Sequence, residues 1–177
     1  MIVPIDFKAE IVRIVHWKQI AADHDMHQSL PWFLPKVGAK SESITQAEDA
    51  IGASFSDEYR GFLSLANGWR GFYVTTDLFG TDEFLSGRAH LVRKQIEVRS
   101  YAEDIGIHLG DLIPIGASEA ALDLFLLVSS ASRVEPGKVL WWAGEEIERY
   151  PSFGAFFAAM VNYNAQIAER LVRKTRK

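Results

Sequence analysis

Hydrophobic residues recur every three or four positions near both ends of the chain, which is the spacing of an amphipathic helix. Near the N-terminus, Phe7, Ile11 and Ile14 follow this spacing and predict a helix over residues 6–25. A last helix is predicted to begin after Ser152, and its apolar side comprises Phe153, Phe156, Phe157, Met160, Val161, Tyr163 and Ile167.

Two more helices are predicted from capping residues. Residues 30–35 are apolar and contain two prolines, so the first helix ends before them, and we expect this connector to pack against the protein. A second helix follows, opened by a capping box that starts at Ser43 or at Thr45, and Gly52 ends it. Ser56 is predicted to cap a third helix, whose buried side comprises Tyr59, Phe62, Leu63 and Ala66.

The middle of the chain predicts strands. Aromatic and β-branched residues predict a strand over residues 72–76, and helical spacing returns over residues 88–104. Three further strands are predicted over residues 112–115, 122–128 and 139–143. This order favours an α+β fold with a central antiparallel or mixed sheet, packed by N-terminal helices and a C-terminal helix. Because no linker interrupts the chain, we expect residues 1–177 to form one domain.

Several short motifs occur in a fixed order along the chain. They are SITQAEDAIG at residues 43–52, FSDEYRGFL at 55–63 with Asn67-Gly68 after it, LIPIG at 112–116, KVLWW at 138–142 and YPSFGAF at 150–156. Their order resembles that of the SUKH superfamily, the Smi/Knr-like domains named partly after a fungal cell-wall assembly regulator. The resemblance covers about residues 43–159, so the helix at 6–25 and a basic tail at 170–177 are extensions.

The resemblance implies a compact α+β domain without catalytic residues or a cofactor. Bacterial members of the superfamily act as immunity proteins that bind and neutralise polymorphic or contact-dependent toxins, often nucleases. Relatives elsewhere act as regulatory or scaffolding interaction domains. The resemblance therefore implies a protein partner, and it leaves the immunity and regulatory roles open.

This chain departs from the superfamily pattern in two places. Phe55-Ser56 stands where Leu-Pro is usual, which is a mild change because serine also caps helices. Residues 118–123 stand where relatives commonly carry a Gly-Asp pair. If that pair contacts the partner in relatives, the contact is altered here.

Composition narrows the function classes. The chain has 19 Lys and Arg, 23 Asp and Glu, and no cysteine, so we expect neither thiol chemistry nor binding to nucleic acid or an anionic membrane. Residues 170–177 hold five of the basic residues and no acid, which leaves residues 1–169 with a net charge of −9. We therefore expect a cytoplasmic protein, monomeric or weakly dimeric, with a basic protein partner.

A glycine-flanked turn carries the residue types found at interaction hot spots. Trp69, Arg70 and Tyr73 are the candidates there, although Trp69 could instead fold onto the core. Neighbouring strand residues point to opposite faces, so one indole of Trp141-Trp142 must pack under a helix or be exposed, and Trp142 is the candidate. Acidic candidates for partner contact are Asp77, Asp82 and Glu83, which could alternatively serve as helix caps or as an acid and base pair.

One segment has the spacing of metal ligands. His24 and His27 can share a helix face, and a metal site would need further ligands from elsewhere. The alternative is that both histidines belong to a polar helix end in contact with solvent. A metal-dependent enzyme is thus the weakest hypothesis. The leading one is a non-enzymatic immunity protein, and a regulatory scaffold domain without a toxin partner is the alternative.

Overall fold

The computed structural model describes residues 5–119 and 122–176. Its elements, in chain order, are α1 (Phe7–His24), α2 (Ser41–Ile51), α3 (Asp57–Leu65), β1 (Trp69–Tyr73), β2 (Thr76–Leu78), α4 (Thr81–Leu85), α5 (Arg88–Val98), α6 (Tyr101–Ile105), a 3-10 turn (Leu109–Asp111), β3 (Leu112–Ala117), β4 (Leu124–Val128), β5 (Val139–Trp142), β6 (Glu146–Tyr150) and α7 (Phe153–Thr175).

The six strands form one antiparallel sheet in which every strand pairs with its neighbours in sequence, in the order β1 to β6. The predicted α+β fold is confirmed, and its sheet is antiparallel rather than mixed. Helix α7 crosses one face of the sheet, where the ring centroid of Phe156 lies 4.9 Å from that of Phe125 and 5.5 Å from that of Tyr150. Loops alone join most consecutive strands, whereas α4, α5, α6 and the 3-10 turn lie between β2 and β3.

An aromatic core joins the N-terminal helices to α7. The ring of Phe7 in α1 lies 6.1 Å from Phe62 in α3, and 5.7 and 5.5 Å from Phe153 and Phe157 in α7. All four rings are buried. Further along both helices, Lys18 and Ala21 lie beside Asn164 and Ile167, so α1 and α7 run parallel.

The predicted helices at both ends are confirmed, and so is the third helix. Asp6 accepts hydrogen bonds from the backbone N–H groups of Lys8 and Ala9 at the start of α1. Ser56 and Ser152 cap α3 and α7 in the same way. Helix α7 continues to Thr175, so most of the basic tail is helical.

The capping box predicted for the second helix is wrong. Helix α2 starts at Ser41, two residues before Ser43, and its N-cap, Lys40, makes no side-chain capping bond. Thr45 lies inside the helix, where its hydroxyl donates to the Ser41 carbonyl at 3.2 Å. The predicted stop is confirmed, since Gly52 adopts the left-handed conformation with φ of 67°.

Two other predictions fail where a residue other than glycine adopts positive φ. The strand predicted over 72–76 is in fact a hairpin, because Val74 has φ of 51° and reverses the chain between β1 and β2. The helix predicted over 88–104 is divided between α5 and α6 by Ser100, with φ of 56°. Helix α4 and strand β6 were not predicted from the sequence.

The connector between α1 and α2 (residues 25–40) is less buried than predicted. Trp32 and Phe33 are each 38% exposed, and Leu34 is 58% exposed. The backbone, rather than these side chains, attaches the connector to the protein. Hydrogen bonds join Lys36 N to Gly68 O and Asn67 N to Lys36 O, both at 3.1 Å.

These bonds place the connector beside the free edge of β1. The Phe33 carbonyl accepts from the Trp69 indole N–H at 2.7 Å, and Pro31 lies so close to Gly71 that a Cβ there would approach its Cγ to 2.6 Å. An uncovered strand edge is a template for unwanted pairing. The connector covers part of this edge.

One charged side chain is buried beneath the connector. Lys18 of α1 is 8% exposed, and its Nζ donates to the Gly71 carbonyl at 2.6 Å. Burial lowers the pKa of this ammonium group from 10.5 to about 8. Near neutral pH, the folded chain therefore keeps a charge in a poorly solvated position, which opposes folding.

Replacing Ile14 tests the docking of α1. Ile14 is fully buried, so Ile14→Ala should lower the free energy of unfolding by about 2–5 kcal/mol. Val12, on the same helix, is 66% exposed, and Val12→Ala should change it by less than about 0.5 kcal/mol. Denaturant unfolding measures both, and equal effects would contradict the docking of α1 described above.

Lys18 predicts a pH dependence of stability. Because its pKa returns from about 8 to 10.5 on unfolding, the unfolded chain binds more protons in this range, and stability rises with pH. From pH 7.5 to 9.5, the wild type should gain about 2 kcal/mol relative to Lys18→Met, measured by denaturant unfolding. Parallel pH profiles for the two proteins would contradict this assignment.

Candidate functional site

The structure places two of the sequence-predicted anchors in the core. Trp69 is 1% exposed, with its ring 5.8 Å from Phe72, and Trp142 is 4% exposed, with its ring 5.2 Å from Tyr101 of α6. Neither indole is therefore available as a surface anchor, and the buried alternatives that the sequence left open are the ones observed, with Trp69 in the core and Trp142 under a helix. The Trp69 indole donates a hydrogen bond to the Phe33 carbonyl, and Trp142 is covered by α6.

Other predicted residues meet in a surface groove, which we call the Asp77 groove. It consists of two adjoining cavities of about 530 Å³ each, and both are lined by Arg70, Asp77, Ser118 and Glu119. One cavity extends towards Leu91 of α5, and the other extends towards the connector. The hairpin β1–β2 and the loop after β3 form its centre, because β2 and β3 are paired at Asp77 and Ala117.

Asp77 has a structural partner for each carboxylate oxygen. Its Oδ1 accepts from the Gly71 backbone N–H at 2.7 Å, and its Oδ2 accepts from Arg88 at 2.8 Å. The Arg88 guanidinium in turn lies 4.7 Å above the ring of Phe79. Asp77 thus fixes the hairpin to the start of α5.

Asp82 and Glu83 also have partners within the fold. Both pair with Lys36 of the connector, at 3.1 and 3.4 Å respectively. Glu83 additionally accepts from the Gly80 N–H at 2.8 Å at the start of α4. These contacts match the capping interpretation of the acidic residues better than an acid and base pair.

Gly71 lines the cavity that extends towards the connector and is fixed from three sides. Its carbonyl accepts from Lys18, its N–H donates to Asp77, and Pro31 lies against its Cα. The residue has φ of 58°, which favours glycine because it has no Cβ. Arg70, the preceding residue, is exposed and has its guanidinium 4.5 Å above the ring of Phe33.

Tyr73, a predicted contact residue, belongs to a half-buried aromatic cluster with Trp141 and Tyr163. The ring centroids lie 5.2 to 5.9 Å apart. Burial, followed by the charge of Asp123, raises the pKa of the Tyr73 hydroxyl. Hydrogen bonding to Glu148 at 2.8 Å raises the pKa of Tyr163.

Sequence reasoning missed Trp141 and Tyr163 as candidates. Alternation along β5 shows that the two adjacent indoles face opposite ways, but not which of them stays near solvent. Trp141 contacts α7 through Tyr163 on one face, whereas Trp142 contacts α6 on the other. Neither helix position can be derived from the strand alone.

The loop that replaces the usual Gly-Asp pair joins the aromatic cluster to the groove. The Ser118 hydroxyl accepts from the N–H groups of Leu122 and Asp123 at 3.2 and 3.3 Å, while Ala120 and Ala121 lie outside the described residues. Asp123 lines the groove, and its Oδ1 accepts from the Trp141 indole at 3.0 Å. An aspartate side chain therefore does occupy this end of the sheet.

The two histidines proposed as weak metal ligands are not brought together with a third. His24 contacts its own helix through Ile20 O at 2.9 Å, and His27 is exposed. Within residues 5–119 and 122–176, no group of three or more His, Cys, Asp or Glu side chains could hold a metal ion. None of the helices in this part of the chain is long and apolar enough to cross a membrane.

Comparison with known proteins agrees with the motif order. No individual curated protein matches the chain significantly. A family profile does match, over residues 38–159, which is more than half of the sequence and extends from the end of the connector into the first turns of α7. The chain belongs to the SMI1/KNR4 family (SUKH-1).

Proposed function

We propose that this chain is a cytoplasmic, non-enzymatic immunity protein that binds a basic toxin domain and neutralises it by occupying its surface. The observation that carries the proposal is the junction of the Asp77 groove with the aromatic cluster. At one end of the sheet, a concave, charged surface meets half-buried Tyr and Trp side chains, which are typical of interface hot spots.

The bonding of the groove carboxylates supports binding rather than chemistry. Asp77 and Glu83 each use both oxygens within the fold, on Gly71 and Arg88 and on Gly80 and Lys36. General acid or base catalysis needs a carboxyl group placed to exchange a proton with a substrate. These two groups instead hold the shape of a surface.

The charge distribution supports a basic partner. Residues 1–169 carry a net charge of −9, and such a field raises the association rate of a cationic protein. The proposal takes residues 1–177 as one domain, monomeric or weakly dimeric, because one hydrophobic core includes side chains of α1, the sheet and α7.

Arg70 provides a surface test with a matched control. Arg70→Ala should weaken the complex with a toxin encoded by a neighbouring gene by about tenfold, because the stacked guanidinium supplies N–H donors and planar contact area at the groove, and their loss exceeds the weak repulsion between one exposed cation and a basic partner. Arg99 is also exposed and stacks on an aromatic ring, that of Tyr101, outside the groove. Arg99→Ala should leave the dissociation constant unchanged.

Binding is measured by pull-down of neighbouring gene products, followed by calorimetry and by rescue of cells that express the toxin. A one-to-one complex and rescue by the wild type are expected. If no neighbouring product binds or is neutralised, the immunity function is wrong and a regulatory scaffold domain replaces it. If both arginine variants bind equally well, the groove is not the contact surface.

A further inference from the structure

The Asp77 groove contains charged side chains that form no ion pair with the described residues. Asp77 is paired with Arg88, and Glu83 with Lys36. Arg70, Glu119 and Asp123 remain, and none of these three has an oppositely charged side chain within 4 Å in the part of the chain that the structure describes.

The remaining carboxylates share one cavity, which we call the Asp123 lobe. It is the cavity between the connector and the loop after β3, and it is lined by Pro31, Glu119, Leu122 and Asp123 together with the central residues of the groove. Glu119 is exposed, and Asp123 has one oxygen on the Trp141 indole. For the other Asp123 oxygen, the described residues provide no hydrogen-bond donor.

Among the described residues that line this lobe, Arg70 is the one with a positive charge, and its position is fixed. The Arg70 guanidinium stacks on Phe33 at 4.5 Å, and Phe33 belongs to the connector. Gly71 beside it is fixed by Lys18, Asp77 and Pro31. Contacts within the chain therefore hold the wall of the lobe at Arg70 and Gly71, and these two residues have little conformational freedom to lose on binding.

We propose that the Asp123 lobe is the docking site for a basic segment of the partner protein, and that it receives an arginine side chain. This inference rests on the proposed function and specifies which chemistry of the partner is recognised. The lobe offers two carboxylates against one guanidinium that is already stacked, so charge complementarity favours a cation.

Arginine fits this lobe better than lysine. A guanidinium group is planar and presents several N–H donors, so it can donate to Glu119 and Asp123 together. Its apolar stem can lie along Leu122, which is 63% exposed on the wall of the lobe. Lysine would offer only a compact ammonium group to the same two carboxylates.

The docking site is formed partly by the connector and partly by the region that the family profile matches. Pro31 and Phe33 precede the region matched by the family profile, whereas Glu119 and Asp123 lie within it. The docking surface thus combines residues inside the matched region with residues of the N-terminal extension. Such a combination would distinguish its partner from those of relatives.

A peptide titration tests the lobe without the partner. The probe is acetyl-Gly-Arg-Gly-amide, added to isotope-labelled full-length protein and followed by NMR. Saturable shifts are expected at the backbone amides of Gly71, Ser118 and Asp123, with millimolar affinity. The same peptide with citrulline, which has the shape of arginine without its charge, should bind about tenfold more weakly.

A double variant tests the named side chains. Glu119→Gln with Asp123→Asn removes both charges, and the new amide at 123 keeps an oxygen acceptor for the Trp141 indole. It should bind the arginine peptide about tenfold more weakly, whereas Glu103→Gln with Asp104→Asn, on exposed positions of α6, should behave like the wild type. Equal responses to arginine and citrulline, or shifts unaffected by the double variant, would overturn the inference.

Binding of a toxin encoded by a neighbouring gene distinguishes failure of the docking inference from failure of the immunity function. If a toxin binds the wild type and the double variant with the same affinity, the docking inference is wrong and the immunity function stands. If the peptide results are as expected but no neighbouring toxin binds or is neutralised, the lobe is retained and the immunity function is wrong.

Discussion

The hydrogen bond between the Trp69 indole and the Phe33 carbonyl determines how the edge of the sheet is arranged. Together with the backbone hydrogen bonds between Lys36 and residues 67 and 68, it holds the connector beside β1, where Pro31 lies against Gly71 and the ring of Phe33 lies under Arg70. The same contact takes a tryptophan out of solvent and leaves Arg70 as the exposed neighbour. The position of the groove therefore depends on a bond between residues 36 positions apart.

Interactions within a few residues are the ones that could be predicted from the sequence. Asp6, Ser56 and Ser152 cap their helices through N–H groups two or three positions away, and all three helices are confirmed. Val74 and Ser100 are different, because neither residue type favours positive φ strongly enough to predict a turn. Their conformations follow from the pairing of β1 with β2 and from the packing of α5 and α6.

The candidate site was predicted only in part for the same reason. Arg70 was found because a glycine-flanked turn lies near solvent, and Asp77 because it is grouped with Asp82 and Glu83 between a predicted strand and a predicted helix. For Trp69 and Trp142 the sequence left burial and exposure open, because burial depends on which distant segment covers each indole. The half-buried position of Trp141 depends on α7 and on the loop with Asp123, which are far from it in sequence.

The parallel pairing of α1 with α7 has a consequence for biosynthesis. Phe7 emerges from the ribosome about 150 residues before Phe157, its partner in the aromatic core. Contacts of such long sequence separation form late, since the chain must first close a large loop. The nascent chain exposes the apolar side of α1 until α7 is made, and exposed apolar surface of this kind favours aggregation during that interval. A chain released before Phe153 lacks the rings of α7, so Phe7 and Phe62 lose their aromatic partners although most of the buried residues of the sheet are present.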